Sequence, residues 1–243
     1  MHKLTGLLNT TDEAIRIYSD YLIRHVSHWE LDPPEWTGKT NSQRALLFAK
    51  TSALMSGIPS NEMPPEGKWS KYDEASPEIL EFFQNDHMLA EACMYGTPHD
   101  GRITPPQALN ASLCRDKMRI RWRSGDDVMT DSDIPSGKYT EKLVKLWMKT
   151  AFEGAHLFKN ASIADKSIFA WAMHHSLYCI KPFSTGNSRT ARLCLQMCRN
   201  VVGLKPIAYR PEDREKLRMH LEHYRHVIFI PAMRNLGYMP KSS

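Results

Sequence analysis

The sequence predicts a nearly all-α protein, and three observations carry that prediction. Apolar residues recur at helical spacing in several runs, most densely over 163–180 and again beyond 188. Proline and glycine fall between those runs, at Pro33-Pro34, Gly57, Pro59, Pro182 and Gly203, where they end helices. One short stretch, 117–123, alternates strictly in the manner of a strand.

The elements follow in order. Asn9-Thr10-Thr11-Asp12-Glu13 is an N-cap cluster, and the helix after it runs through Ile15, Tyr18, Tyr21, Leu22, His25 and Trp29. A second helix covers 42–55 on Ala45, Leu46, Phe48, Ala49 and Leu54, with Gly57 and Pro59 as its stop. Residues 58–77 are rich in proline and charge and read as a linker. Pro77 opens a helix of about 76–95, and Thr104-Pro105-Pro106 opens one of about 105–114. In Lys117-Met118-Arg119-Ile120-Arg121-Trp122-Arg123 the basic residues share one face of a strand. That face is either the solvated side of a small hairpin or a nucleic-acid contact.

Residues 124–139 are turn-rich, and a helix from Thr140 to about 153 turns Leu143, Val144, Leu146, Trp147 and Ala151 inward. The 163–180 helix is the most apolar and carries His174 and His175, which read as hydrogen-bonded core histidines. A last long helix starts at Pro211-Glu212-Asp213. His220, His223 and His226 on it drift around the helix at three-residue spacing, so a solvated face is expected there rather than a metal site.

Composition narrows the function classes. Of the 243 residues 42% are hydrophobic and 24% charged, the balance of a globular protein. No window approaches the roughly 18 apolar residues of a membrane span, and the N-terminus lacks the apolar core of a signal peptide. A net charge of +5 suits an anionic ligand but is too weak to imply nucleic acid by itself. Cys93, Cys114, Cys179, Cys194 and Cys198 form no Cys-x-x-Cys and no even framework. A reducing cytoplasm is the expected location, with export as an effector left open.

The chain centres on 180–203. Pro182 ends the apolar helix, and Phe183 is a bulky plug inside a polar loop. Gly186, Asn187 and Ser188 are small residues that turn the chain into a new helix, expected from Ser188 and stopped by Gly203. A tight loop that opens a helix aims backbone N–H groups at one spot, which attracts an anion. Arg189 and Arg192, three residues apart, place two cations at the positive end of the helix dipole. That placement is explained by an incoming phosphate; the alternative is a pair of solvated arginines.

This stretch resembles the signature loop of the Fic/Doc (Fido) family, His-Pro-Phe-x-Asp/Glu-Gly-Asn-Gly-Arg-x-x-Arg. The matching residues are Pro182, Phe183, Gly186, Asn187, Arg189 and Arg192. Lys181 stands at the position of the catalytic His, Thr185 at that of the acidic Mg²⁺ ligand, and Ser188 at that of the second Gly. The resemblance implies a phosphate or nucleotide cradle built from Ser184, Thr185, Gly186, Asn187, Ser188, Arg189 and Arg192. It also implies a weak Mg²⁺ site or none, with ATP or another nucleotide as ligand.

Ser52-Ala53-Leu54-Met55-Ser56-Gly57 is similar to the family's inhibitory helix, Ser/Thr-x-x-x-Glu-Gly/Asn, with Ser56 in place of the Glu that pairs with the last arginine of the loop. The layout of 117–135 is similar to the family's flap, a hairpin that holds a target segment by strand addition, and puts Ile134 and Pro135 at its end.

The substitutions fall on the reactive positions. In the family the His is the base toward a target hydroxyl. A lysine starts near 10.4 and would need its pKa lowered by about three units to take that role. As a cation it strengthens phosphate binding instead. Thr185 offers Mg²⁺ no charged oxygen.

The expected fold class is therefore mainly α, a Fic-fold helical domain with a small β-hairpin flap. N-terminal helices with the inhibitory-like segment occupy 1–60, the core domain 61–225, and the end of the last helix and a tail 226–243. The leading expectation is a binding or regulatory pseudoenzyme that takes a nucleotide, with a protein target docking on the flap and no membrane. The alternatives are an active Fic-type transferase of nucleotidyl or phosphoryl groups, with Lys181 or His174 as the base, and a nucleic-acid-associated protein.

Overall fold

The structure is a computed structural model and describes residues 2–26, 36–56, 87–96, 104–113, 122–123, 134–208 and 210–240. Its described elements are helical. They are α1 (His2–Leu8), α2 (Asp12–Val26), α3 (Asn41–Met55), α4 (87–95), α5 (Pro106–Leu113), α6 (Thr140–Phe158), α7 (Ile163–Ile180), α8 (Asn187–Val201), α9 (Arg214–Tyr224) and α10 (Ile230–Asn235).

Helices α7 and α8 form the centre. α7 has apolar residues on every side, so no face of it favours water, and other helices surround it. Ser162 caps its start, where the hydroxyl accepts from the Asp165 N–H at 3.1 Å. α7 packs extensively against both α8 and α6. Gly154 is what lets α6 approach: a Cβ there would stand 2.0 Å from the Phe169 ring. Phe169 in turn stacks on Phe158 at 5.3 Å.

α8 is buried along most of its length, and its polar residues serve backbone groups of the loops around it. Gln196 bonds both the N–H and the carbonyl of Ile207, Arg199 donates to the Lys205 carbonyl at 2.7 Å, and Asn200 donates to that of Gly96 at 2.7 Å. Cys194 and Cys198 are buried among apolar residues, as their spacing predicts, and burial pushes the Cys198 thiol up to about 12.

Several sequence expectations are corrected in detail. α8 starts at Asn187 rather than Ser188, with Gly186 at the N-cap. The last helix is interrupted by a π-helical turn, Arg225–Phe229, ahead of α10. Pro231 lies in the first turn of α10 and lacks the N–H that would continue the α-helical ladder, which gives that turn a local cause. The expected solvated histidine face is wrong for two of its residues. His220 is 2% exposed, and Tyr21 packs on His220 and stacks on His223 at 4.1 Å. His226 alone is exposed, beside Glu222.

Arg123 is likewise no part of a solvated strand face: it is buried. Of the expected flap strand only Trp122 and Arg123 are described, and Trp122 pairs antiparallel with Phe183 in an isolated bridge. The rest of 117–133 lies outside the described residues, as do Trp29, Gly57 and the 58–86 stretch. Among the described residues, no helix is long and apolar enough to cross a membrane.

Candidate anion-binding site

The loop between α7 and α8 is built by its own side chains. The Phe183 N–H donates to Asn187 Oδ1 at 2.9 Å, and Asn187 Nδ2 donates back to the Phe183 carbonyl at 2.7 Å. This reciprocal pair closes the turn over Ser184, Thr185 and Gly186. Asn110 on α5 braces it from outside, donating to the Thr185 carbonyl and to Thr190 Oγ1 at 2.9 and 3.1 Å. Thr190 Oγ1 donates in turn to the Gly186 carbonyl at 3.0 Å.

Gly186 takes φ 73°, a left-handed conformation that only glycine adopts without strain. As the N-cap it has no side chain to offer the first-turn N–H groups of α8. Phe183 is buried as predicted, and Trp122 stacks on it at 5.6 Å.

The entry to the loop is fixed by Arg123. The Arg123 N–H donates to the Pro182 carbonyl at 2.8 Å. Its guanidinium donates to the carbonyls of Lys181 at 3.0 Å, Ile180 at 3.3 Å and Pro135 at 2.5 Å. A buried cation thus sits at the negative end of α7. Lys181 is the C-cap there, in left-handed geometry at φ 44° and ψ 62°. Ile134 and Pro135 are buried against this clamp.

Arg192 is held by α3. Its Nε donates to Ser52 Oγ at 2.8 Å, and its Nη2 to the Ser52 carbonyl at 2.6 Å and to Ser56 Oγ at 2.5 Å. The inhibitory-like segment therefore does meet the last arginine of the loop. It meets it with hydroxyls and a carbonyl at a helix C-terminus, not with a carboxylate.

One cavity of about 690 Å³ collects most of these groups, a size ordinary for a small-molecule site. Thr185, Gly186, Asn187, Ser188, Arg189 and Arg192 line it. Met55 at the end of α3, its C-cap Ser56, and Glu212, Arg214, Glu215 and Arg218 also line it. Lys181 and Ser184 are outside the lining, Ser52 lies beneath Arg192, and Gly57 is outside the described residues.

His174 and Tyr178 of α7 form part of the lining. Burial, and then the charge of Arg192, push the His174 imidazole down to about 3, so it is neutral at pH 7. The loop offers Mg²⁺ a neutral Thr185 hydroxyl and no carboxylate, a donor set that does not suit this ion. Among the described residues no group of His, Cys, Asp and Glu is placed to hold a metal.

Comparison with known proteins places this geometry. A protein adenylyltransferase Fic from Nematostella vectensis is 31% identical over 114 residues, which is 47% of this chain and 26% of that protein. Two solved structures share the fold. A Fic-domain-containing signaling protein from Bacteroides thetaiotaomicron has a TM-score of 0.57 at 16% identity, covering 92% of this chain and 100% of its own. A fragment of Fic-1 from C. elegans has a TM-score of 0.52 at 15% identity, covering 93% of this chain and 71% of its own. This chain has the fold of these Fic-domain proteins.

No family model matches the chain. The alignment with the curated relative spans about a quarter of that protein's length.

Three features of the site and its surroundings escaped the sequence reading. Arg123 reads as one more basic residue in an alternating run, and nothing local marks it as a clamp. Asn110 lies in a helix 75 residues before its loop partner. The capping box of α3 was available in Thr40-Asn41-Ser42-Gln43, where the Thr40 hydroxyl and the Gln43 side chain bond each other's backbone N–H.

Proposed function

We propose that this protein is a Fic-family member that binds a nucleotide or other phosphate compound and does not carry out ordinary AMP transfer, acting as a binding or regulatory pseudoenzyme. The cavity carries this reading. It keeps the glycine-capped start of α8 and Arg189, while the one histidine among its described lining residues is held uncharged by burial. His174, the one histidine in the lining, is too weak a proton acceptor at neutral pH, and Lys181 lies outside the lining. A protein target, if one is used, would approach beside Trp122 and Phe183, where an isolated antiparallel bridge joins the two.

The competing reading is a transferase of nucleotidyl or phosphoryl groups with altered chemistry. It is favoured by the kinship with a protein named an adenylyltransferase. One experiment separates the two. Labelled nucleotide transfer from ATP, with Mg²⁺ or Mn²⁺, to the protein itself and to a lysate is compared for the wild type, Lys181→His and Thr185→Asp. Label only in the variants supports the pseudoenzyme; label with the unmodified chain overturns it. Arg189→Ala is expected to weaken ATP binding at least tenfold, the loss of a charge-assisted contact. Unchanged binding in that variant would place the ligand elsewhere.

A further inference from the structure

We infer that His174 contacts the ligand of this site, its neutral imidazole hydrogen-bonding the phosphates held between the α7–α8 loop and α9. The inference rests on the phosphate-binding reading above and adds a residue that the loop motif does not contain.

Three observations carry it. First, His174 is 1% exposed and yet lines the cavity together with Tyr178, one helical turn further along. Second, its Nδ1 has no hydrogen-bond partner within the protein. Buried polar side chains are normally paired, and an orphaned one calls for a ligand or water to complete it. His175, the next residue, pairs its Nδ1 with the Tyr18 hydroxyl at 2.8 Å and leaves its Nε2 unpaired, but it does not line the cavity. Third, the space beside His174 is positive. Arg192 is near enough to act on the ring electrostatically, and Arg189 lines the same cavity.

A phosphate oxygen fits that setting. A neutral imidazole has one N–H to donate and one lone pair. Phosphate accepts from the N–H and is attracted by the arginines. The role is recognition, since a ring held uncharged beside Arg192 is poorly suited to take a proton.

The test uses the full chain, with ATP and inorganic tripolyphosphate as probes. Nitrogen NMR of the histidine rings is followed during titration, and affinities are measured for the wild type, His174→Phe and His174→Gln. His174 ring signals are expected to move with both probes. His174→Phe is expected to bind about tenfold more weakly while remaining as stable as the wild type, and His174→Gln to recover part of the loss. Normal binding with unmoved His174 signals and an unaffected His174→Phe overturns this inference and leaves the phosphate site standing. Signals that move with ATP but not with tripolyphosphate overturn the phosphate contact. A wild-type chain that binds neither probe overturns the site as a whole. If His174→Phe fails to fold, the wild-type ring signals and His174→Gln decide.

Discussion

At the scale of single residues, Lys181 and Arg123 explain each other. A lysine in left-handed geometry costs about 1–2 kcal/mol relative to the helical region. Lys181 holds it because its N–H still bonds the Leu177 carbonyl at 3.2 Å and its own carbonyl is taken by Arg123. Asparagine tolerates this conformation better, so Lys181→Asn is expected to raise unfolding stability by about 0.5 kcal/mol. Urea denaturation measures it, and a loss of stability would show that the lysine makes compensating contacts. Arg123→Ala is expected to act in the other direction. It strands the Ile180, Lys181 and Pro135 carbonyls at the end of α7, at a cost of about 2–4 kcal/mol in the same assay. A loss below 0.5 kcal/mol would mean that water replaces the clamp without penalty.

At the scale of elements, the site depends on how closely helices approach. α3 reaches the cavity through its C-terminus, where the helix dipole and two serines hold Arg192 without cancelling its charge. Ser56→Glu would place a carboxylate in the lining beside that arginine. Such a substitution is expected to fasten α3 more firmly and to weaken ATP binding at least tenfold by charge repulsion and competition for Arg192. Calorimetric titration checks it, and unchanged affinity would put the phosphates away from α3. The α6–α7 contact is tested at Gly154. Alanine there gains about 1 kcal/mol of helix propensity but drives a Cβ into the buried, stacked Phe169 ring. Overpacking costs about 1–3 kcal/mol, so Gly154→Ala is expected to lower stability on balance. A rise in Tm would show that Phe169 can move aside.

At the scale of the molecule, the sequence was legible where a pattern is local and opaque where a role depends on partners far along the chain. Helical spacing located α6, α7 and α8, and the loop motif located the cavity wall, because spacing and capping act within a few residues. Arg123, Asn110 and His220 were misread or missed because their partners lie 58, 75 and about 200 residues away. A basic residue in an alternating run looks the same whether it meets water or three carbonyls. The buried histidines show what such distant packing does to the whole protein. His174 and His175 sit side by side in α7, with Tyr18, Trp171 and Tyr224 around them and His220 and His223 facing them from α9. Burial holds both rings uncharged, His174 at about 3 and His175 well below the usual imidazole range. The unfolded chain takes up their protons near 6.5, so below that pH it binds more protons than the folded chain. Stability is therefore full above about 6.5 and falls as the pH drops, by about 1.4 kcal/mol per unit for each histidine. At pH 5 the two together remove about 4 kcal/mol, a large part of the roughly 5–15 kcal/mol that holds a typical domain. Urea midpoints between pH 7.5 and 5 measure this slope, and His175→Phe is expected to reduce it by about half. A flat profile would mean that the two rings are already solvated in the folded protein, and α7 would then not be the buried centre on which the site is built.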